Sequence, residues 1–209
     1  MSRTADVVII GGGIQGASIA YHLTQRGQKN VVVLEKDTLA SGCSGRTGGM
    51  IRQHYSTGLV TEIARQGRDF FATFDQVVGG HSGWVQCGLV FMVTGKDREA
   101  LEHNIALGRK HGVPTRLIDD REARARVPGL NTEGAVAFGF EENAGYGDGY
   151  GTTVAFAQRA REMGATILQL AQERNTQDPH ELKAAYLDVY KIELPLPTVI
   201  KALKAGALA

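Results

Sequence analysis

Glycines at positions 11, 13 and 16, followed by a carboxylate at Glu35, have the types and spacing that hold the diphosphate of a dinucleotide. A pyrophosphate rests on a helix N-terminus only where the turn beneath it carries no side chains. Gly11 then permits the sharp turn, Gly13 admits the phosphates close to the backbone, and Gly16 lets the helix pack tightly on the preceding strand. The first helical residues, Ile14 and Gln15, bring unpaired main-chain N–H groups and the positive end of the helix dipole to the anion. Glu35 lies roughly 20 residues beyond the turn, where a carboxylate accepts hydrogen bonds from ribose hydroxyls and repels a 2′-phosphate. Lys36 beside it slightly weakens that exclusion. The alternative, an ordinary glycine turn, has less support, because a strand before, a helix after and an acid at the right distance all agree. The pattern alone does not separate FAD from a nicotinamide dinucleotide.

These residues need elements to position them. Asp6 to Ile10 (DVVII) is a short, continuous, β-branched run, which predicts a buried parallel strand. A helix is expected from about Ile14 to Arg26, with Ala17, Ala20 and Tyr21 on one face and Gly27 at its end. Val31 to Leu34 is the second buried strand, so strand, turn, helix and strand close within the compact size of a βαβ unit. The run 41–49 (SGCSGRTGG) is a loop. Leu59, Ile63, Phe70, Phe74 and Val77 recur at helical steps and predict one long amphipathic helix over 59–78. Further along, strands are expected at 89–93, 115–118, 135–140 and 165–168. Between them, Asp97 starts a helix to about Lys110 closed by Gly112, and Asp119 or Asp120 starts a short basic helix that ends before Pro128. Residues 141–151 read as a loop, and Thr152 or Thr153 caps a helix to Met163. After residue 170 the texture turns polar. Asp178, Pro179 and Glu181 then form a capping-box start for a helix with Leu182, Ala185, Tyr186 and Val189 on one face.

The loop after Glu35 is the more specific signal. Residues Ser41-Gly-Cys-Ser-Gly-Arg46-Thr-Gly-Gly resemble the segment that wraps the FAD in the superfamily of D-amino-acid oxidase, sarcosine oxidase and dimethylglycine dehydrogenase. Met50-Ile51-Arg52-Gln53-His54-Tyr55 is similar to the I-I-R-x-x-Y stretch of sarcosine oxidases, and the likeness runs on through Gly88-Leu-Val-Phe, Val127-Pro-Gly-Leu and the segment Gly151 to Ile167. It is closest to sarcosine oxidase, β-subunit types included. What the resemblance implies is an α/β fold: a Rossmann-type FAD-binding βαβ unit with its flavin-contacting loop at 1–55. Segments of an α+β substrate domain interleaved with it would follow at 56–169, and a divergent helical tail at 170–209. It implies FAD as cofactor and oxidation of the C–N bond of a small, sarcosine-like amine or amino acid to an imine by hydride transfer to flavin. The cofactor contacts would come from Gly11, Gly13, Ile14, Gln15, Gly16, Glu35, Lys36, Ser41, Ser44, Gly45, Arg46, Thr47, Gly49 and Met50.

The chemistry of the loop agrees with this. Ser41, Ser44 and Thr47 offer hydroxyls, the glycines expose N–H groups, and Arg46 can place a fixed charge beside a diphosphate or a reduced flavin; otherwise it is a solvated loop arginine. In sarcosine oxidases the arginine matching Arg52 binds the substrate carboxylate, the alternative here being a structural salt bridge. His54 could titrate near neutral pH and keep a substrate amine deprotonated. The competing readings for His54 and Tyr55, a loop histidine and a packed tyrosine, carry more weight than catalysis. Cys43 reads as a packing residue; Trp84, Phe91 and the phenylalanines of the 59–78 helix read as core. Tyr146 and Tyr150 are candidates for the border of a substrate pocket. No metal site is expected.

Of 209 residues, 43% are hydrophobic and 22% charged, with a net charge of +1. That balance points to neither a nucleic acid nor an anionic membrane surface as partner. Cys43 and Cys87 make no disulfide framework, no apolar run reaches the ~20 residues that span a bilayer, and a cytoplasmic setting is the expectation. The family's later flavin-binding strand and the second half of its substrate sheet have no counterpart in the sequence. The alternative function is therefore a non-catalytic or partner-completed nucleotide-binding subunit, or a fragment without turnover, with a second subunit or the missing C-terminal half as the partner.

Overall fold

Val7–Ile10 (β1), Ile14–Gln25 (α1) and Val31–Glu35 (β2) form the expected βαβ unit in the computed structural model, which describes residues 4–169. The other elements follow in chain order: strand Met50–Ile51 (β3), helices Gly58–Ala72 (α2) and Phe74–Val78 (α3), and strands Val85–Gln86 (β4) and Leu89–Val93 (β5). Helix Arg98–Lys110 (α4), strand Thr115–Ile118 (β6) and helix Asp120–Arg126 (α5) come next. Strands Ala137–Glu141 (β7) and Gly145–Tyr146 (β8), helix Gly149–Glu162 (α6) and strand Thr166–Gln169 (β9) complete the set. The capping-box helix read after Asp178 lies outside the described residues. Two compact units result: residues 4–47, 78–82 and 148–169 form one, and residues 48–77 with 83–147 form the other.

In the first unit β1, β2 and β9 make a parallel sheet with β2 in the centre, Val7 opposite Val31 and Leu34 opposite Leu168. Central position explains why Val31, Val33 and Leu34 are buried. The expected helical face of Ala17, Ala20 and Tyr21 is also buried. It packs on α6, where Ala157 and Ala160 allow close approach and the Tyr21 and Phe156 rings lie 5.3 Å apart. Burial of a side chain such as Phe156 stabilises the unit by roughly 1.5–3 kcal/mol.

The second unit is built on the antiparallel sheet β5-β7-β6. All five residues of β7 are buried, because both faces of the strand are covered. Phe138 and Phe140 pack with Ile118 and Ala123, and Ala137 packs with Leu101 and Ile105 of α4. A smaller ladder, β3-β8-β4, aligns Met50 and Val85 with Tyr146.

Several elements depart from the sequence pattern. The long helix expected over 59–78 is broken at Thr73, which closes α2 with φ −116° and ψ 8°. Its hydroxyl turns back onto the Asp69 and Phe70 carbonyls while its own carbonyl accepts from Gln76 and Val77, so one residue ends α2 and begins α3. The apolar stripe of that helix is largely solvated: Leu59 is 75% and Ile63 61% exposed, whereas Phe74 is fully buried. Of the aromatic residues read as core, Phe70, Phe71, Trp84 and Phe91 are only partly buried. The expected loop 141–151 contains β8 and the first turn of α6, whose cap is Asp148 accepting from the Tyr150 N–H at 2.9 Å, not Thr152 or Thr153. Thr152 and Thr153 instead donate inside the helix, to the Asp148 and Gly149 carbonyls. Asp119 caps α5 by accepting from Glu122 N–H at 2.7 Å.

Candidate functional site

The glycine turn of the first unit is closed by sterics and by one carboxylate. Gly11 has φ +106° and donates its N–H to the Leu34 carbonyl at 2.8 Å, tying the turn to the end of β2. A Cβ at Gly16 would lie 2.0 Å from the Gly11 carbonyl oxygen, so only glycine fits where α1 leaves the turn. Gly12, which the spacing pattern passes over, is equally constrained, since a Cβ there would lie 2.8 Å from Leu39 and 2.9 Å from Glu35. Its N–H donates to Glu35 Oε2 at 2.5 Å, and Asp37 N–H donates to Glu35 Oε1 at 2.9 Å. Glu35 is 8% exposed, yet a carboxylate offers about four lone-pair positions, leaving capacity for sugar hydroxyls. The cradle therefore fits a dinucleotide.

Ser44 completes the turn. It lies in a 3-10 turn, Cys43–Arg46, and its Oγ accepts from the Ile14 N–H at 2.9 Å, capping a helix whose N-cap residue Gly13 has no side chain to do so. The 3-10 turn is held by the Gly45 N–H donating to the Ala40 carbonyl at 2.9 Å. It also receives the N-terminus of α6, where a Cβ at Gly149 would lie 2.2 Å from the Ser44 carbonyl oxygen. Gln15, Arg46 and Thr47 are exposed, and Lys36 and Ser41 are partly buried. Gly49 and Met50 fall in the second unit, where Gly49 (φ +66°) closely approaches the Gly147 backbone and Met50 pairs with Tyr146. Cys43 and Cys87 are exposed free thiols, so Cys43 is not the packing residue expected.

The second unit gathers Arg52, His54 and Tyr55. The Arg52 Nη1 donates to the His54 carbonyl, and its guanidinium lies 4.6 Å from the centre of the Tyr55 ring. Among the described residues it makes no ion pair with a carboxylate, so the salt-bridge alternative for Arg52 has no partner there. His54 stacks on Phe91 with ring centres 4.1 Å apart, and its Nε2 lies 3.3 Å from Asn104 Nδ2. Burial, reinforced by the Arg52 charge, lowers its pKa to about 4. This disfavours titration near neutral pH and fits the competing reading of a loop histidine: at pH 7 His54 is a neutral, packed imidazole outside any helix or strand.

Between Arg52 and His54 stands a residue that sequence reasoning missed. Gln53 is fully buried, its N–H donates to Glu141 Oε1 at 2.8 Å, and its side-chain amide reaches both Glu141 Oε1 (2.8 Å) and the Asn143 amide (2.6 Å). Glu141 is also fully buried, and burial raises its pKa above the usual carboxylate value. Its only sequence signal is an acid ending the otherwise apolar strand AFGFE.

With this geometry in view, the profile of the FAD dependent oxidoreductase family matches residues 6–181. The chain belongs to that family. It is 29% identical to human mitochondrial sarcosine dehydrogenase over 171 residues, 81% of this chain but 19% of that protein. It is also 29% identical to the 4-methylaminobutanoate oxidase (formaldehyde-forming) of Paenarthrobacter nicotinovorans over 161 residues, 77% of the chain and 20% of the relative. Among solved structures, L-proline dehydrogenase from P. horikoshii superposes with a TM-score of 0.75 at 31% identity, covering 81% of this chain and 45% of that one. Glycine oxidase from Bacillus cereus gives 0.68 at 27% identity, covering 79% and 46%. The chain thus spans about a fifth of these curated relatives and less than half of these solved ones. The family carries FAD as its cofactor, in agreement with the reading from the 41–55 segment. No helix among the described residues is long and apolar enough to cross a membrane.

Proposed function

We propose that this chain is the FAD-binding part of an oxidoreductase that oxidises the C–N bond of a small amine or amino acid, sarcosine-like in type, to an imine. The observation that carries the reading is the convergence of the Gly11–Gly16 turn, the Glu35 carboxylate and the Ser44 hydroxyl on the start of α1. FAD, when bound, would supply the acceptor for a hydride from the carbon next to nitrogen. The remaining work falls to the chain. The Ile14 N–H, read from the sequence as unpaired, is already taken by Ser44, so the diphosphate is held by the other N–H groups at the start of α1 and its dipole, and Glu35 accepts from the ribose. Lys36, Ser41, Gly45, Arg46, Thr47, Gly49 and Met50 are proposed as further cofactor contacts. Arg52, which makes no ion pair with a carboxylate among the described residues, presents its guanidinium to a substrate carboxylate, and Tyr55 steadies it through its ring face. His54 contributes shape and stacking against Phe91 rather than charge. The exposed thiols fit a reducing, cytoplasmic compartment.

The short coverage of the relatives supports a second reading, in which the chain binds FAD but turns over only with a partner polypeptide or further family segments. Absorbance separates the two. The purified chain, supplied with FAD and freed of excess, shows flavin bands in both cases. Anaerobic sarcosine, proline or glycine bleaches them only if the chain oxidises amines alone. A chain that retains no FAD overturns both readings.

A further inference from the structure

Arg68 fixes the polarity of the buried chain that runs through Asn143 and Gln53 to Glu141. A guanidinium can only donate. Arg68 Nη2 and, at 3.2 Å, Arg68 Nε both face the Asn143 side-chain amide, which satisfies them only by turning its oxygen toward them. The Asn143 NH2 group then points at the Gln53 amide 2.6 Å away, and it needs an acceptor there. Gln53 must therefore present its oxygen. That same atom stands 2.8 Å from Glu141 Oε1, and two oxygens at this separation require a proton between them. Only Glu141 can supply it. The opposite polarity, with Gln53 donating to both neighbours, sets the Asn143 NH2 group against Arg68, donor against donor. The other end of the Gln53 amide is buried without a partner in either polarity, so it does not decide between them.

We infer that Glu141 is a protonated carboxylic acid that donates to the Gln53 side chain while accepting the Gln53 main-chain N–H, and so acts as a positioning residue for the Arg52–His54 segment. Its second oxygen supports this: Glu141 Oε2 is buried and, among the described residues, no group meets it at hydrogen-bond geometry, a costly arrangement for a charged oxygen and a mild one for a neutral carbonyl. The surroundings agree. Opposite Glu141 across the sheet stand Leu89 of β5 and Thr115 of β6, neither of which titrates near neutral pH. The groups that act on it from the other elements are the Arg52 guanidinium, the Gln53 side chain and the main-chain N–H groups of Gln53 and His54, all of which favour the ionised form, and, through Asn143, Arg68 on α2. The His54 imidazole is neutral at pH 7, and burial outweighs the Arg52 charge and these hydrogen bonds, leaving the Glu141 pKa above the usual carboxylate value. The significance of holding this segment rests on the reading of Arg52 given above; the protonation does not.

The test is Glu141→Gln in the full chain, because a glutamine amide reproduces both the donor and the acceptor of the acid. Urea unfolding followed by the fluorescence of Trp84, the sole tryptophan, is measured for both proteins from about pH 5 to about pH 8. A buried acid loses its folding advantage as pH rises from its unfolded pKa toward its folded one, and the variant has no such loss. The ratio of folding constants, variant over wild type, is expected to climb by about tenfold per pH unit until the folded pKa is reached. A ratio that stays flat across this range means an ionised Glu141 and overturns the proposal. For the positioning role, the amide resonances of Arg52, Gln53 and His54 should keep their places in Glu141→Gln and move in Glu141→Ala. Displacement by the glutamine variant, or no displacement by the alanine variant, overturns that role. Should the alanine variant fail to fold, the glutamine variant decides alone. Sarcosine binding enters neither readout, so its failure would remove the carboxylate assignment of Arg52 and leave this proposal standing.

Discussion

Glu35 Oε2 accepts the Gly12 main-chain N–H at 2.5 Å in a buried position, joining the end of β2 to the middle of the glycine turn. The acid therefore already holds the glycine turn, and the proposed function gives it a second task, accepting from a ribose. We expect Glu35→Ala to lower the unfolding free energy by about 1.5–3 kcal/mol, the usual cost of losing a hydrogen bond to a charged group. FAD affinity should fall at least about tenfold, one factor of ten for every 1.4 kcal/mol lost. Urea unfolding and a flavin fluorescence titration measure the two. A variant as stable as wild type would mean that Glu35 does not hold the turn.

The glycines separate by what confines them. A Cβ at Gly16 meets the Gly11 carbonyl at 2.0 Å, and that backbone cannot retreat without opening the turn, so Gly16→Ala should cost roughly 1–3 kcal/mol and release FAD. Gly67, by contrast, lies inside α2 with open space around it. Gly67→Ala should raise stability by about 0.5–1 kcal/mol through reduced unfolded-state freedom, with flavin binding unchanged. Thermal melts of the two single variants, read side by side, test whether backbone contact or mere helix propensity sets the penalty.

Arg52 is partly buried, anchored by its own neighbours, and makes no ion pair with a carboxylate among the described residues. Replacement by lysine keeps the charge but loses the two-pronged donor. With a charge-assisted hydrogen bond worth about 1.5–3 kcal/mol, Arg52→Lys should raise KM for sarcosine by roughly 10–100-fold and leave kcat less affected. Steady-state kinetics of any turnover-competent form, alone or completed by a partner, provides the check. An unchanged KM would free Arg52 from that role.

The βαβ unit was legible because it is local. The β-branched runs, the glycine spacing and the acid at position 35 all lie within one stretch, and each constrains the same small motif. Helix α4 and strands β5 and β6 were legible for the same reason, through period and flanking turn residues. What escaped depends on distant partners. The break at Thr73 has no proline or glycine to announce it, and the apolar period runs on through it. β3, β4 and β8 are two residues each, too short for any alternation to register. Glycines 149 and 151 looked like loop, yet Gly149 is needed where the start of α6 meets the Ser44 turn. Gln53 and Glu141 are 88 positions apart, and nothing near either residue marks them as neighbours. The protonation state of His54 is not legible in the sequence, because its pKa is set first by burial and then by the Arg52 charge, which local sequence does not encode.

That burial gives the last prediction. The His54 pKa falls from 6.5 to about 4 in the folded chain, first through burial and then through the Arg52 charge. The unfolded chain therefore binds a proton in this window that the native chain refuses. Stability from His54 is fully present above pH 6.5 and is lost as pH falls toward about 4. Complete loss amounts to at most about 3 kcal/mol, and less after screening of a side chain that is not fully buried. Glu141 works in the opposite sense, gaining stability toward acid, so the wild-type profile alone mixes the two. Comparison with His54→Asn at each pH isolates the histidine: the variant should lack the acid-side decline while keeping the Glu141 contribution. Urea midpoints measured between about pH 4 and about pH 7 decide it. Parallel profiles for the two proteins would show that His54 protonates normally in the fold, and the neutral, stacked imidazole would have to be given up.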